Sequence, residues 1–161
     1  MPATINLITE IDAPVEVCFD LARSVDLHKE SMHRTGEAVI AGRTAGLIEL
    51  NETVTWRGKH FGVWQSLTAK VTKLERHRLF VDEMVNGAFK RFRHEHKFES
   101  INNKTVMTDI FDFEAPLGLL GIIAEKLFLR RYMTNLLTQR TVMIKQAAES
   151  QQVIYRGPLS A

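Results

Sequence analysis

Apolar and polar residues alternate with a period of two over most of residues 37–114, and on either side the period changes to steps of three and four. Alternation places residues i, i+2 and i+4 on one face of a strand, whereas the longer steps mark one face of a helix. The period-two region divides at turn signals into strands over residues 37–41, 46–57, 61–74, 79–85, 89–101 and 104–114. The separating signals are Gly42 to Gly46, Arg57-Gly58-Lys59, Glu75 to Arg78, Asn86-Gly87 and Asn102-Asn103. A further strand over residues 4–11 ends at Asp12-Ala13-Pro14 and makes seven. Behind it, Val15, Cys18, Ala22 and Val25 mark a short amphipathic helix opened by Pro14, and Ser24 and Asp26 open a second helix reaching about Met32. From Leu117 the steps of three and four persist through Leu120, Ile123, Leu127, Met133, Leu136, Leu137, Arg140, Ile144 and Ala147, predicting one long helix. The residues after Glu149 read as a frayed or extended tail, so residues 1–149 form one domain and 150–161 lie outside it.

An antiparallel sheet with one dry face must cover that face, and the long helix is the element able to do so. The predicted class is α+β: a curved seven-stranded antiparallel sheet wrapped around a long C-terminal helix. A sheet curled around a single helix leaves space between the two, a usual place for a ligand. Candidate wall residues are Trp56, Trp64, Phe80, Met84, Phe92, Phe98, Met107, Phe111, Phe113, Leu120, Leu127, Tyr132 and Leu136, most of them ordinary core.

Polar residues on those same faces carry the chemistry. In FRHEHKF, residues 92–98, strand parity puts Phe92, His94, His96 and Phe98 on one side and Arg93, Glu95 and Lys97 on the other. Asp109 shares a face with Met107 and Phe111, and a buried carboxylate beside imidazoles is expected to pair with them. Either Asp82 or Glu83 joins the group. A two-residue turn at Asn86-Gly87 brings Glu83 to the His94 face, and a three-residue loop brings Asp82. His-x-His could also seat a metal with His60, Asp82, Glu83 or Asp109 as third ligand, but no third ligand stands at a fixed spacing, and neither metal nor cofactor is assigned. His28, Ser31 and His33 fit a solvated helix face better than a cavity border, and Lys90, Arg91 and Arg93 fit the wet face of a strand.

Composition narrows the partners. Twenty-one Lys and Arg against 19 Asp and Glu leave a formal charge of +2, too balanced for a nucleic-acid partner. A single cysteine, Cys18, permits no internal disulfide and suits a reducing, cytoplasmic setting, with the thiol a small core residue rather than a nucleophile. The first residues lack a secretory pattern. The apolar run at 117–129, interrupted by Glu125 and Lys126, is too short to serve as an integral membrane segment. Its first eight residues are apolar all round, which calls for a cover such as a homodimer contact, a gate, transient membrane contact or the region around residues 26–34.

Several stretches resemble one family: Ile11-Asp12-Ala13-Pro14 with Val17 and Phe19, Phe80-Val81-Asp82-Glu83-Met84 with Gly87 and Phe89, Phe92-x-His94-x-His96-x-Phe98, and Thr105-x-Met107-x-Asp109 leading to Phe113 and Pro116-Leu117-Gly118. Together with the element order they resemble the START-related SRPBCC superfamily of helix-grip proteins, which includes lipid-transfer domains and polyketide cyclases. The resemblance covers almost the whole chain. It implies a hydrophobic cavity and no shared catalytic motif. The expected function is therefore binding of a hydrophobic or amphipathic small molecule such as a lipid, fatty acid or polyketide. The expected ligand-binding residues are Trp56, Asp82, Glu83, Phe92, His94, His96, Phe98, Met107, Asp109, Phe111, Leu120 and Tyr132. A cyclase or dehydratase using His94, His96 and Asp109 as acid and base is the alternative, and a protein-interaction module is a third.

Overall fold

The computed structural model describes residues 3–33, 36–116 and 128–156, with side chains to Gln151. Seven strands, β1 (Ala3–Ile11), β2 (Ala38–Gly42), β3 (Thr53–His60), β4 (Val63–Glu75), β5 (Leu79–Asn86), β6 (Arg91–Ile101) and β7 (Lys104–Glu114), form one antiparallel sheet in the order β1-β7-β6-β5-β4-β3-β2. Helices α1 (Val15–Arg23) and α2 (Val25–Ser31) follow β1, and α3 (Arg130–Arg156) closes the chain. This is the helix-grip arrangement.

Local chemistry sets the boundaries. The β6–β7 connection is the Asn102-Asn103 pair with both residues at positive φ, the backbone that a tight hairpin requires. The β3–β4 connection corrects the sequence reading: the turn is Phe61-Gly62, φ +52° and +78°, not Arg57-Gly58-Lys59, so β3 runs on to His60. Residues 46–50 are also not strand. The guanidinium of Arg23, only 2% exposed, donates to the Ile48 carbonyl at 2.9 Å and pairs with Asp20 and Glu49, so this segment folds against α1 instead of joining the sheet. At the other end α3 continues beyond Glu149 to Arg156, where a frayed tail was expected.

The concave face is covered in two different ways. One end is filled: Ile11, Phe19, Phe80, Phe98, Met107, Ile144 and Ala148 pack into a dry cluster, with Phe19 of α1 edge-on to Phe80 and Phe98 at 5.8 and 5.4 Å. The C-terminal half of α3 is tied down there, Lys145 donating to the Glu10 carbonyl and the Asp12 amide to Glu149. Toward the other end α3, through Leu137, arches over Trp56, Ala69, Phe92 and Phe111 without filling the space between. The expected apolar segment at 117–124, with Leu120, falls outside the described residues.

Candidate functional site

The space under α3 is a cavity of about 520 Å³, within the range of ordinary ligand pockets. Its apolar wall comes from Trp56, Leu67, Phe89, Phe92, Phe111 and Leu136, and its polar groups are His28, Glu37, His60, Asp82, His94, Tyr132 and Arg140. The register explains which strand residues arrive. Asp82 lies opposite His94 and Glu83 opposite Arg93, because four residues, 87–90, separate β5 from β6. Asp82 therefore faces inward, and the expectation for Glu83 is corrected: it points to the outer face with Arg93.

Of the twelve residues expected to bind ligand, Trp56, Asp82, Phe92, His94, Phe111 and Tyr132 line the cavity. His96 and Asp109 lie behind its wall, and Phe98 and Met107 belong to the filled end. Trp64, a candidate wall residue, is instead 56% exposed and stacks under Arg57, since the turn at Phe61-Gly62 places it on the outer face. His28 reverses another expectation. It lies parallel to Trp56 at 4.0 Å between ring centres and borders the cavity, because α2 turns that face toward the sheet rather than to water; Ser31 is buried and His33 exposed.

Four charged or titratable groups meet at this wall, Asp82 and His94 on the cavity side and His96 and Asp109 behind. His96 Nε2 bonds to Asp82 Oδ1 at 3.0 Å, and its Nδ1 lies 2.7 Å from Asp109 Oδ1. The same Asp109 oxygen lies 3.2 Å from His94 Nε2, and the two imidazoles lean together at 3.8 Å between centres. Both approaches to Asp109 are close enough for ionic attraction but too oblique for a hydrogen bond. Burial opposes the His96 cation, yet Asp109 and Asp82 more than offset it and raise its pKa above the ordinary imidazole value. His94 goes the other way: burial, then the neighbouring His96, holds it below that value. His28, pushed the same way by burial and then by Arg140, is held well below. Both aspartates are depressed despite burial, Asp109 by His94 and His96, and Asp82 by His96, His94 and Arg140. The cavity thus presents His94 and His28, both shifted toward the neutral form, backed by His96, shifted toward the cation by two carboxylates.

Asp82, His94 and His96 also offer ligand atoms within 4.8 Å of one another, close enough to share a metal ion. Both ring nitrogens of His96, however, lie within 3.0 Å of carboxylate oxygens, so a metal would have to displace one of those contacts to reach a lone pair.

A match to the family model described as polyketide cyclase / dehydrase and lipid transport spans residues 11–136. The chain belongs to that family. Solved structures with the same fold include the Zhui aromatase/cyclase from a Streptomyces species, TM-score 0.78 at 10% identity over 98% of this chain and 99% of that one. TTHA0849 from Thermus thermophilus gives 0.75 at 14% identity, over 94% and 100%. A START superfamily protein from Mycobacterium smegmatis gives 0.68 at 12%, over 92% and 98%. No curated protein matches the sequence.

The sequence reading missed Glu37 and Arg140 and named His60 only as a spare metal ligand. Parity along β3 would have placed His60 with Trp56 and Gly58 had the turn been read at Phe61-Gly62. Gly62 carried that signal, but Gly58 four residues earlier offered a competing one.

Proposed function

We propose that the chain binds a largely apolar small molecule, such as a lipid, fatty acid or polyketide, whose polar oxygen faces His94 and Asp82. The observation that carries this reading is a 520 Å³ cavity with aromatic and aliphatic walls and polar groups gathered on parts of the wall, in a domain whose other end is packed solid. Membership of a family described by cyclisation, dehydration and lipid transport supports the ligand class. Around His94 the carboxylates Asp82 and Asp109 already face His96 and Arg140, and Glu37 across the cavity faces His60 and His28. A neutral polar head therefore enters without disturbing the balance, whereas a carboxylate head needs His94 or His28 to take up a proton. Isothermal titration of a fatty acid and of the corresponding alcohol, in two buffers of different ionisation enthalpy, tests this: proton uptake accompanies the acid alone. Equal proton uptake for both, or binding unaffected by Phe92→Ala and Trp56→Ala, would overturn the reading.

One observation favours the enzymatic alternative. His94 lines the cavity, is shifted toward the neutral form and is backed by Asp109, as a general base requires, while His96 behind it is shifted toward the cation. In that case His94 touches substrate and removes a proton next to a carbonyl, and His96 with Asp109 positions it. His94→Gln would then lower kcat by about a hundredfold or more with KM little changed, a split that a carrier does not produce.

A further inference from the structure

A second constellation borders the cavity and takes no part in the His94 group. His60, at the end of β3, has Nδ1 2.7 Å from the hydroxyl of Tyr132 on α3, and its Nε2 lies 3.2 Å from Oε1 of Glu37, just before β2. The Glu37 side chain is 7% exposed, and its other oxygen stands 3.9 Å from His28 Nε2. Space for the pair is made by Gly58: a Cβ there would meet Glu37 Cγ at 2.5 Å and His60 Nε2 at 3.1 Å. The glycine is therefore required by the side chains above it rather than by a turn. All four residues line the cavity, and Phe61 lies over Tyr132 with 4.6 Å between rings.

The carboxylate fixes the tautomer. The Glu37 charge 3.2 Å from Nε2 favours the proton on that nitrogen, leaving Nδ1 to accept from Tyr132. Burial and the Glu37 charge push the Tyr132 phenol above its ordinary value, so at rest it keeps its proton and donates it to His60. The tyrosine oxygen is then an acceptor aligned by two partners in series.

We infer that Glu37, His60 and Tyr132 form a proton relay for a phenol or enol oxygen of the cavity's ligand. In the forward step the ligand O–H bond breaks as Tyr132 Oη takes the proton, while the proton of Tyr132 passes to Nδ1 of His60. The products are a ligand oxyanion, a neutral tyrosine and an imidazolium against the Glu37 carboxylate. Each heavy-atom contact serves both states, so no rearrangement accompanies the transfer, and the reverse step protonates an enolate oxygen. Tyr132 is the group that touches ligand, and His60 and Glu37 act through it. The inference rests on the reading of the cavity as a ligand site and adds to it the class of oxygen bound at this second position.

The test uses 4-nitrophenol, whose ionised form absorbs in the visible, beside 4-nitroanisole, which has no proton to give. Occupancy of both is read from quenching of tryptophan fluorescence, Trp56 being in the wall, and ionisation from phenolate absorbance at fixed pH. A bare apolar cavity suppresses phenolate. With the relay, the phenolate-to-phenol ratio of the bound probe rises about threefold or more above that in solution. Tyr132→Phe and Glu37→Gln each remove the rise while 4-nitroanisole still binds. Nitrophenol bound as the neutral phenol, the same ratio in wild type and both variants, or 4-nitroanisole bound while nitrophenol is refused would overturn the relay and leave the cavity reading standing. Failure of both probes to bind would overturn both.

Discussion

The two ends of the concave face are built from the same materials and do opposite things. At one end Phe80 and Phe98 lie nearly parallel and Phe19 of α1 closes the stack edge-on to both. At the other Phe89, Phe92 and Phe111 meet with similar ring spacings, 5.3 to 6.1 Å, yet front a cavity because α3 spans the gap without filling it. The histidines divide with the two ends. His96 stacks on Phe80 of the filled end and is shifted toward the cation by two carboxylates, whereas His94 and His28 border the hollow and are shifted toward the neutral form. Strand alternation produces a dry face, and what lies opposite decides whether that face becomes core or pocket.

The sharpest break of this comparison is a matched pair of truncations. Phe98→Ala opens a void in a packed region and costs about 3–5 kcal/mol, lowering Tm by about 10 °C. Phe92→Ala enlarges space that already exists and costs about half as much, read from the same denaturant series. Adding volume keeps the order. Ala148→Leu, at a position with no exposure, overpacks the filled end and costs about 1–3 kcal/mol. Ala69→Leu projects into the cavity, changes stability by less than about 1 kcal/mol and weakens ligand binding about tenfold or more.

The smallest effect separates the imidazoles by pH. His28 and His94 have folded-state values below their unfolded ones, so their contribution is present above about pH 6.5 and is lost as pH falls. His96 is raised, so its contribution is complete below about pH 6.5 and is lost as pH rises through its folded value. Tm should therefore fall on both sides of neutrality. His28→Gln flattens the acid side, and Asp109→Asn, which strips His96 of a partner, lowers Tm throughout and flattens the alkaline side. A profile unchanged by either substitution contradicts the assignment.

Much of this was legible beforehand because period and parity depend only on neighbours in sequence. The seven strands, the FRHEHKF face and the nearness of Asp109 to both histidines follow from that local rule. Where the reading failed, a distant contact decided the outcome. Arg23, buried through Ile48 and Glu49, drew residues 46–50 out of the sheet, and the length of the 87–90 connection chose Asp82 over Glu83. Gly58 read as a turn residue because the side chains that need its missing Cβ come from residues 37 and 60. His28 looked solvated because nothing in its own helix marks the face that meets Trp56.

The central claim is that the hollow end holds a ligand, and the most direct measurement is native mass spectrometry of the purified full chain, followed by denaturing extraction and identification of what is released. The account predicts a bound, largely apolar molecule with at least one oxygen, lost in Ala69→Leu and retained in Arg93→Ala on the outer face. A protein that carries nothing, and takes up neither fatty acid, fatty alcohol nor aromatic phenol when they are supplied, would contradict it.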